Sequence, residues 1–155
     1  DLIFDNFIYS VTALFKNPLV DGAGVPSWIK KFPFGDWQTY LWVVKDSGNI
    51  HFLNEITAVY RMGIGVSSDY MKKSSSFIKI LIALLQEVYN DPNFAHKKDV
   101  IFKSIVSKQR NLIASFNQEK EYKDAFYSFR RLLKMPTNKW STIRFYLYSL
   151  RKSIA

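Results

Sequence analysis

In the second half of the chain the apolar residues recur at helical spacing, interrupted only by residues that end helices. Phe77, Ile80, Leu81, Leu84, Leu85 and Val88 follow the i, i+3, i+4 rule without a gap, and Asn90-Asp91-Pro92 stops them. A second helix is expected from Lys98 to about Asn117, with Ile101, Ile105, Leu112 and Phe116 on one stripe. Tyr122, Ala125, Phe126, Phe129, Leu132 and Leu133 mark a third, ended by Met135-Pro136. Trp140, Ile143, Leu147, Leu150 and Ile154 mark a fourth at near-heptad spacing. The longest apolar run, Phe77 to Leu85, is interrupted by Lys79. It falls far short of the ~20 residues that a bilayer crossing needs.

The first half follows other periods. Phe7 to Phe15 is rich in β-branched and aromatic residues with Pro18 close behind, a pattern that suits a buried strand. Asp21 to Pro26 is a loop by its breakers, and Trp28 to Pro33 reads as irregular. From Asp36 the spacing predicts a helix with Asp36 as its N-cap and Gly48 as its stop. Ile50 to Leu53 and Thr57 to Met62 read as two short strands, followed by a Gly-Ser loop from Gly63 to Asp69. The expected fold class is therefore α+β, mainly α. Residues 1–69 form one unit with a few short strands and a helix, and residues 70–155 form a helical extension of about four helices.

Charge divides the chain at the same place. The 22 Lys and Arg outweigh the 13 Asp and Glu, a net charge of +9. Residues 1–69 carry −2 of it and residues 70–155 carry +11. After Asp124 there are seven cations and no acid. Such a stretch attracts an anionic partner or forms a solvated helical face. Cys is absent, which excludes a disulfide framework and thiolate metal sites and fits a reducing compartment. Two His residues 45 positions apart, His51 and His96, leave little for a histidine-based metal site. The chain has neither an initiator Met nor a charged-then-apolar leader, so Asp1 is expected to begin a fragment or a processed form.

No Gly-rich phosphate loop, zinc-protease motif or nucleophile elbow is present. Asp36 is the acid with the most chemical potential. It stands between Gly35, which permits close approach, and Trp37, which offers an aromatic platform. At a helix N-terminus the dipole and free N–H groups favour an ionised carboxylate, which can accept a proton from a hydroxyl. The same placement also suits a simple helix cap. Tyr60-Arg61 ends an expected strand beside the Gly63/Gly65 loop. There a guanidinium can grip a phosphate bidentately or pair with Glu55 or Asp69.

These residues together resemble a family. Pro33-Phe34-Gly35-Asp36-Trp37, then a helix, then Gly48, Ile50, Leu53, Glu55 and Tyr60-Arg61, resemble the C-terminal part of the catalytic domain in bacterial family 2 glycosyltransferases. Asn6 to Phe15 and Pro26-Ser27-Trp28 match the segments that lead to the Gly-Asp-Trp motif, so the resemblance covers residues 1 to about 70. It implies a C-terminal remnant of a GT-A fold, from an enzyme that moves a sugar from a nucleotide diphosphate sugar to an acceptor hydroxyl with inversion, in bacterial cell-surface polysaccharide synthesis. Asp36 would be the general base. Trp37 and Trp28 would shape the acceptor site, and Arg61 and Tyr60 would lie near the diphosphate. A divalent cation, Mg or Mn, would be held by the N-terminal half of such enzymes, which this chain lacks; none of its own residues would bind metal. Gly63 stands where members often carry His. The chain alone is expected not to transfer sugar.

The tail admits two readings. Trp140, Phe145, Tyr146 and Tyr148 among Lys139, Arg144, Arg151 and Lys152 suit an interfacial helix on anionic lipid. The stripe Trp140, Ile143, Leu147 and Leu150 equally suits a packed bundle. The cations are spread over several helices with no recognition motif, so nucleic acid is not an expected partner. The expected location is cytoplasmic, peripheral on the inner face of the cell membrane. The alternative to an enzyme fragment is a non-catalytic helical module that binds a partner protein or an anionic membrane surface.

Overall fold

The computed structural model describes residues 1–15, 24–33, 35–46, 49–59 and 73–154. Five α-helices lie in these residues: α1 (Gly35–Val43), α2 (Ser74–Asn90), α3 (Lys98–Gln118), α4 (Tyr122–Leu133) and α5 (Lys139–Ile154). Short 3₁₀ turns occupy Ser10–Thr12, Ser27–Lys30 and Pro92–Lys97. The four expected helices of the second half are present within a few residues of their expected bounds. α3 is the central element and packs against α2, α4 and α5.

The described residues contain no strand, so the chain is all-α there, and the α+β expectation, with its remnant of a GT-A domain, is corrected. The segment Phe7 to Phe15 is extended chain around the turn at Ser10–Thr12, held by the Thr12 amide and hydroxyl, which both donate to the Tyr9 carbonyl at 3.0 Å. Ile50 to Leu53, and Thr57 to Val59, are likewise irregular and exposed; Tyr60 to Met62 lie outside the described residues. The physical reason is pairing. Strand propensity expresses a fit to a pleated, half-buried surface, and among the described residues these stretches find no partner backbone with which to form a ladder. Leu14, Phe52, Ile56 and Val59 are left almost wholly exposed. Trp28, expected in irregular chain, sits in the turn Ser27–Lys30.

Two apolar clusters hold the helices together. The larger joins Leu2, Trp28, Trp37, Tyr40, Leu41 and Trp42 to Leu81, Leu84, Leu85 and Val88 of α2, Phe94, and Ile101 and Ile105 of α3. Residues from both sides of position 70 therefore share one core. The smaller joins Ile78 and Ile82 of α2, Leu112 and Phe116 of α3, and Ala125 of α4, with Tyr146 of α5 packed against it. Thus α2 buries two faces. That is why Ile78 and Ile82 are buried while Phe77 and Ile80, which continue the expected stripe, are only half-buried. Each fully buried Leu or Val contributes about 1.5–3 kcal/mol relative to an exposed one.

Several helix ends are satisfied from a distance. The Ser75 amide and hydroxyl donate to Glu119 at 2.9 and 2.5 Å, and Lys73 pairs with Glu121 at 2.5 Å. Glu119, at the end of α3, thereby caps the start of α2, whose own N-cap residue Lys73 makes no side-chain cap. At the other end of α2, Asp91 accepts from the Asn93 amide at 2.9 Å and starts the Pro92–Lys97 turn. Lys108, buried in α3, pairs with Asp5, and Ser104 donates to the Ile3 carbonyl at 2.7 Å. These contacts fasten the N-terminal segment to α3.

Candidate functional site

The site is built on the N-terminus of α1. The helix begins at Gly35, so Asp36 stands in its first turn instead of at the N-cap position expected for it. Its Oδ1 accepts the Trp37 amide at 2.7 Å and its Oδ2 accepts the Asn6 side-chain amide at 3.2 Å. Asn6 in turn accepts the Ile8 amide at 3.2 Å, which orients it. An ionised carboxylate offers about four lone-pair positions, and the described residues occupy two of those on Asp36. Asp36 is half-exposed, and a methyl group placed on Gly35 would meet nothing within 4 Å. α1 ends at Val43, earlier than expected, and Gly48, its expected stop, lies outside the described residues. Lys97 caps that end, donating to the Val44 and Lys45 carbonyls at 3.0 and 2.6 Å. Burial pushes the Lys97 ammonium below its ordinary value.

The two tryptophans lie beneath this surface. Trp37 is buried and its indole N–H donates to the Leu2 carbonyl at 2.8 Å. Trp28 is buried and donates to Asp91 at 2.7 Å. Both indoles therefore spend their polar atom inside the protein and support α1 from within the shared core. Tyr40, one turn beyond Asp36, is pushed above its ordinary value, first by burial and then by the Asp36 charge. It stays neutral at physiological pH.

The structure thus brings Asp36, Trp37 and Trp28 onto or under one helix. Tyr60 and Arg61, together with Gly63, lie outside the described residues. Ile50, Leu53 and Glu55 of the same motif lie in exposed irregular chain. His51 is exposed, and His96 Nε2 lies 3.1 Å from the Lys45 carbonyl, near the end of α1. Among the described residues no three His, Cys, Asp or Glu side chains gather where they could hold a metal ion. The divalent cation that the resemblance implies is assigned by it to the N-terminal half of such enzymes, and the described residues show no cluster that would hold one. No described helix is long and apolar enough to cross a membrane.

Asn6 and Asp91 were not singled out by their sequence context. Asn6 reaches Asp36 across 30 residues, and Asp91 reaches Trp28 across 63. Asp91-Pro92 announces a helix end, yet nothing local announces its tryptophan. Comparison of the chain with protein-family models, curated proteins and solved structures finds no match.

Proposed function

We propose that the chain carries the acceptor side of an inverting glycosyltransferase, with Asp36 as its general base. The observation that carries this reading is the half-exposed Asp36 carboxylate at the open N-terminus of α1, within the motif Gly35-Asp36-Trp37 to Tyr60-Arg61. As the acceptor oxygen attacks the anomeric carbon, its proton passes to Asp36. The new carbon–oxygen bond forms on the face opposite the bond that breaks, and the nucleoside diphosphate leaves with that electron pair. The anomeric configuration inverts. Fixation by the Trp37 amide and by Asn6 lets a weakly basic carboxylate serve, because a positioned base loses little entropy in the transition state. Arg61 and Tyr60 are assigned to the diphosphate by the motif; Trp28 and Trp37, which the motif assigns to the acceptor, are buried and would support that side from beneath α1. The donor nucleotide sugar, with its divalent cation, is assigned to a part of the enzyme outside these residues, and the reaction to the cytoplasm.

The test is substitution of the base. In a protein that joins these residues to a donor-binding half, Asp36→Asn lowers kcat by about 10²- to 10⁴-fold with little change in donor affinity. An unchanged kcat overturns the assignment. The 155 residues alone give no turnover, and robust turnover by them would show that the donor site lies within them.

A further inference from the structure

α5 presents its apolar stripe outward. Trp140, Leu147 and Ile154 are 76%, 57% and 70% exposed, whereas Thr142 and Ser149 point into the protein and are buried. Residues seven apart drift only about 20° around a straight helix, so these three form one line along α5. Arg144 and Arg151, at the same spacing, form a second line beside it, and Tyr148, 65% exposed, lies beyond them. Neither arginine makes an ion pair with a described residue. An outward face that is apolar and basic, on a helix that turns Thr142, Ser149 and the stacked ring of Tyr146 inward, is unlike the solvated face of an ordinary bundle helix. It calls for an occupant.

We infer that this face of α5 docks on the surface of an anionic phospholipid bilayer, with the helix lying in the interface plane. Charge complementarity selects the occupant. After Asp124 the chain has seven cations and no acid, so pairing of the stripe with a second copy would bring rows of arginine together with nothing to neutralise them. Nucleic acid would satisfy the arginines and could stack on Trp140 and Tyr148, yet it would leave Leu147 and Ile154 without an apolar partner. A bilayer interface satisfies both lines at once. Leu147 and Ile154 enter the acyl boundary, Trp140 and Tyr148 sit at headgroup level, and Arg144 and Arg151 meet lipid phosphates. The helix is 16 residues long, about 24 Å, and lies along the surface without crossing it. The inference stands apart from sugar transfer, since its test needs no turnover and its failure leaves the role of Asp36 untouched.

The chain carries its own reporter. Trp28, Trp37 and Trp42 are each at most 4% exposed, so Trp140 is the tryptophan that lipid can reach. With vesicles of roughly 3:1 phosphatidylcholine and phosphatidylglycerol, the protein sediments with the lipid at least about tenfold more tightly than with phosphatidylcholine alone. Its emission shifts to the blue and is quenched by brominated acyl chains. Arg144→Gln/Arg151→Gln lowers that affinity about tenfold or more. Leu147→Ser/Ile154→Ser abolishes the quenching while far-UV circular dichroism stays unchanged, because both side chains are exposed. Trp140→Phe removes the fluorescence change and keeps sedimentation. Equal binding to neutral and anionic vesicles overturns the inference, and so does quenching that survives Leu147→Ser/Ile154→Ser. Self-association that this double variant abolishes would assign the face to a second copy and overturn it too. Tighter binding to mixed-sequence RNA than to anionic vesicles would do the same.

Discussion

Asp91 shows how one residue ties distant parts of the chain together. It is nearly buried and accepts hydrogen bonds from the Trp28 indole, the Asn93 amide and the Asn93 side chain. Burial alone would raise its carboxyl, but these donors, helped by the charge of Lys45, outweigh it and hold the group below the ordinary carboxylate value. A carboxyl depressed in the folded state stabilises that state above its unfolded pKa, and the contribution is lost as pH falls through the folded value. Wild-type stability therefore declines partly through this group as pH falls below its unfolded value and through the lowered folded one. Asp91→Asn is expected to cost about 1.5–3 kcal/mol at neutral pH and to flatten the acid limb. Urea titrations at several pH values read both effects; an acid limb of unchanged steepness contradicts the assignment. The place of Asp36 at a helix start, by contrast, was legible from its neighbours in sequence, because an acid between Gly and Trp ahead of a helical run is a local pattern. Its partner Asn6 was not legible, because a hydrogen bond across 30 residues leaves no local trace.

Among the elements, α3 follows its apolar periodicity closely and buries Ile101, Ile105, Leu112 and Phe116, whereas α4 buries only Ala125 and Leu132 of its stripe and leaves Tyr122 and Phe126 exposed. Their end conditions are another matter. The first turn of α2 reads Ser74-Ser75-Ser76, yet no residue of its own caps it, and Glu119 does so from the end of α3. Glu119→Ala is expected to destabilise the protein by about 1–2 kcal/mol, and amide hydrogen exchange should rise first at Ser75 to Phe77. If exchange rises evenly over α2, the cap is not local. α5 shows where periodicity misleads. Its near-heptad stripe is as regular as that of α2, yet Trp140, Leu147 and Ile154 face outward and Ile143 and Leu150 are only half-buried. Asn117 donates to Ser149 at 2.9 Å, and Tyr146 stacks on Phe129 with ring centroids 4.4 Å apart. Those contacts orient the helix, and a pattern of residue types carries no sign that says which side is in.

Across the whole molecule, the division of charge near residue 70 is not a division of the core. Leu84, Leu85 and Val88 of α2 are fully buried in the cluster that holds Trp28, Trp37 and Trp42. Leu85→Ala should cost about 2–5 kcal/mol. Because the core is shared, tryptophan emission in a Trp140→Phe background, which reports Trp28, Trp37 and Trp42 of the first half, and far-UV circular dichroism, which reports mainly the helices after residue 73, should lose their signals at one common midpoint, with and without Leu85→Ala. A tryptophan transition well below the helical one would show that residues 1–46 melt separately. The amino-acid sequence by itself determined the helices of the second half, their breakpoints, the uneven charge and the Gly-Asp-Trp motif, because each is local: a period, a breaker or a run of neighbours. Tertiary structure alone decided that the strand-like stretches stay unpaired, since a ladder needs a partner backbone and none is found among the described residues. It likewise decided that Asn6 steadies Asp36, that Glu119 caps α2 and that α5 turns its apolar stripe outward, since each depends on which distant surfaces meet.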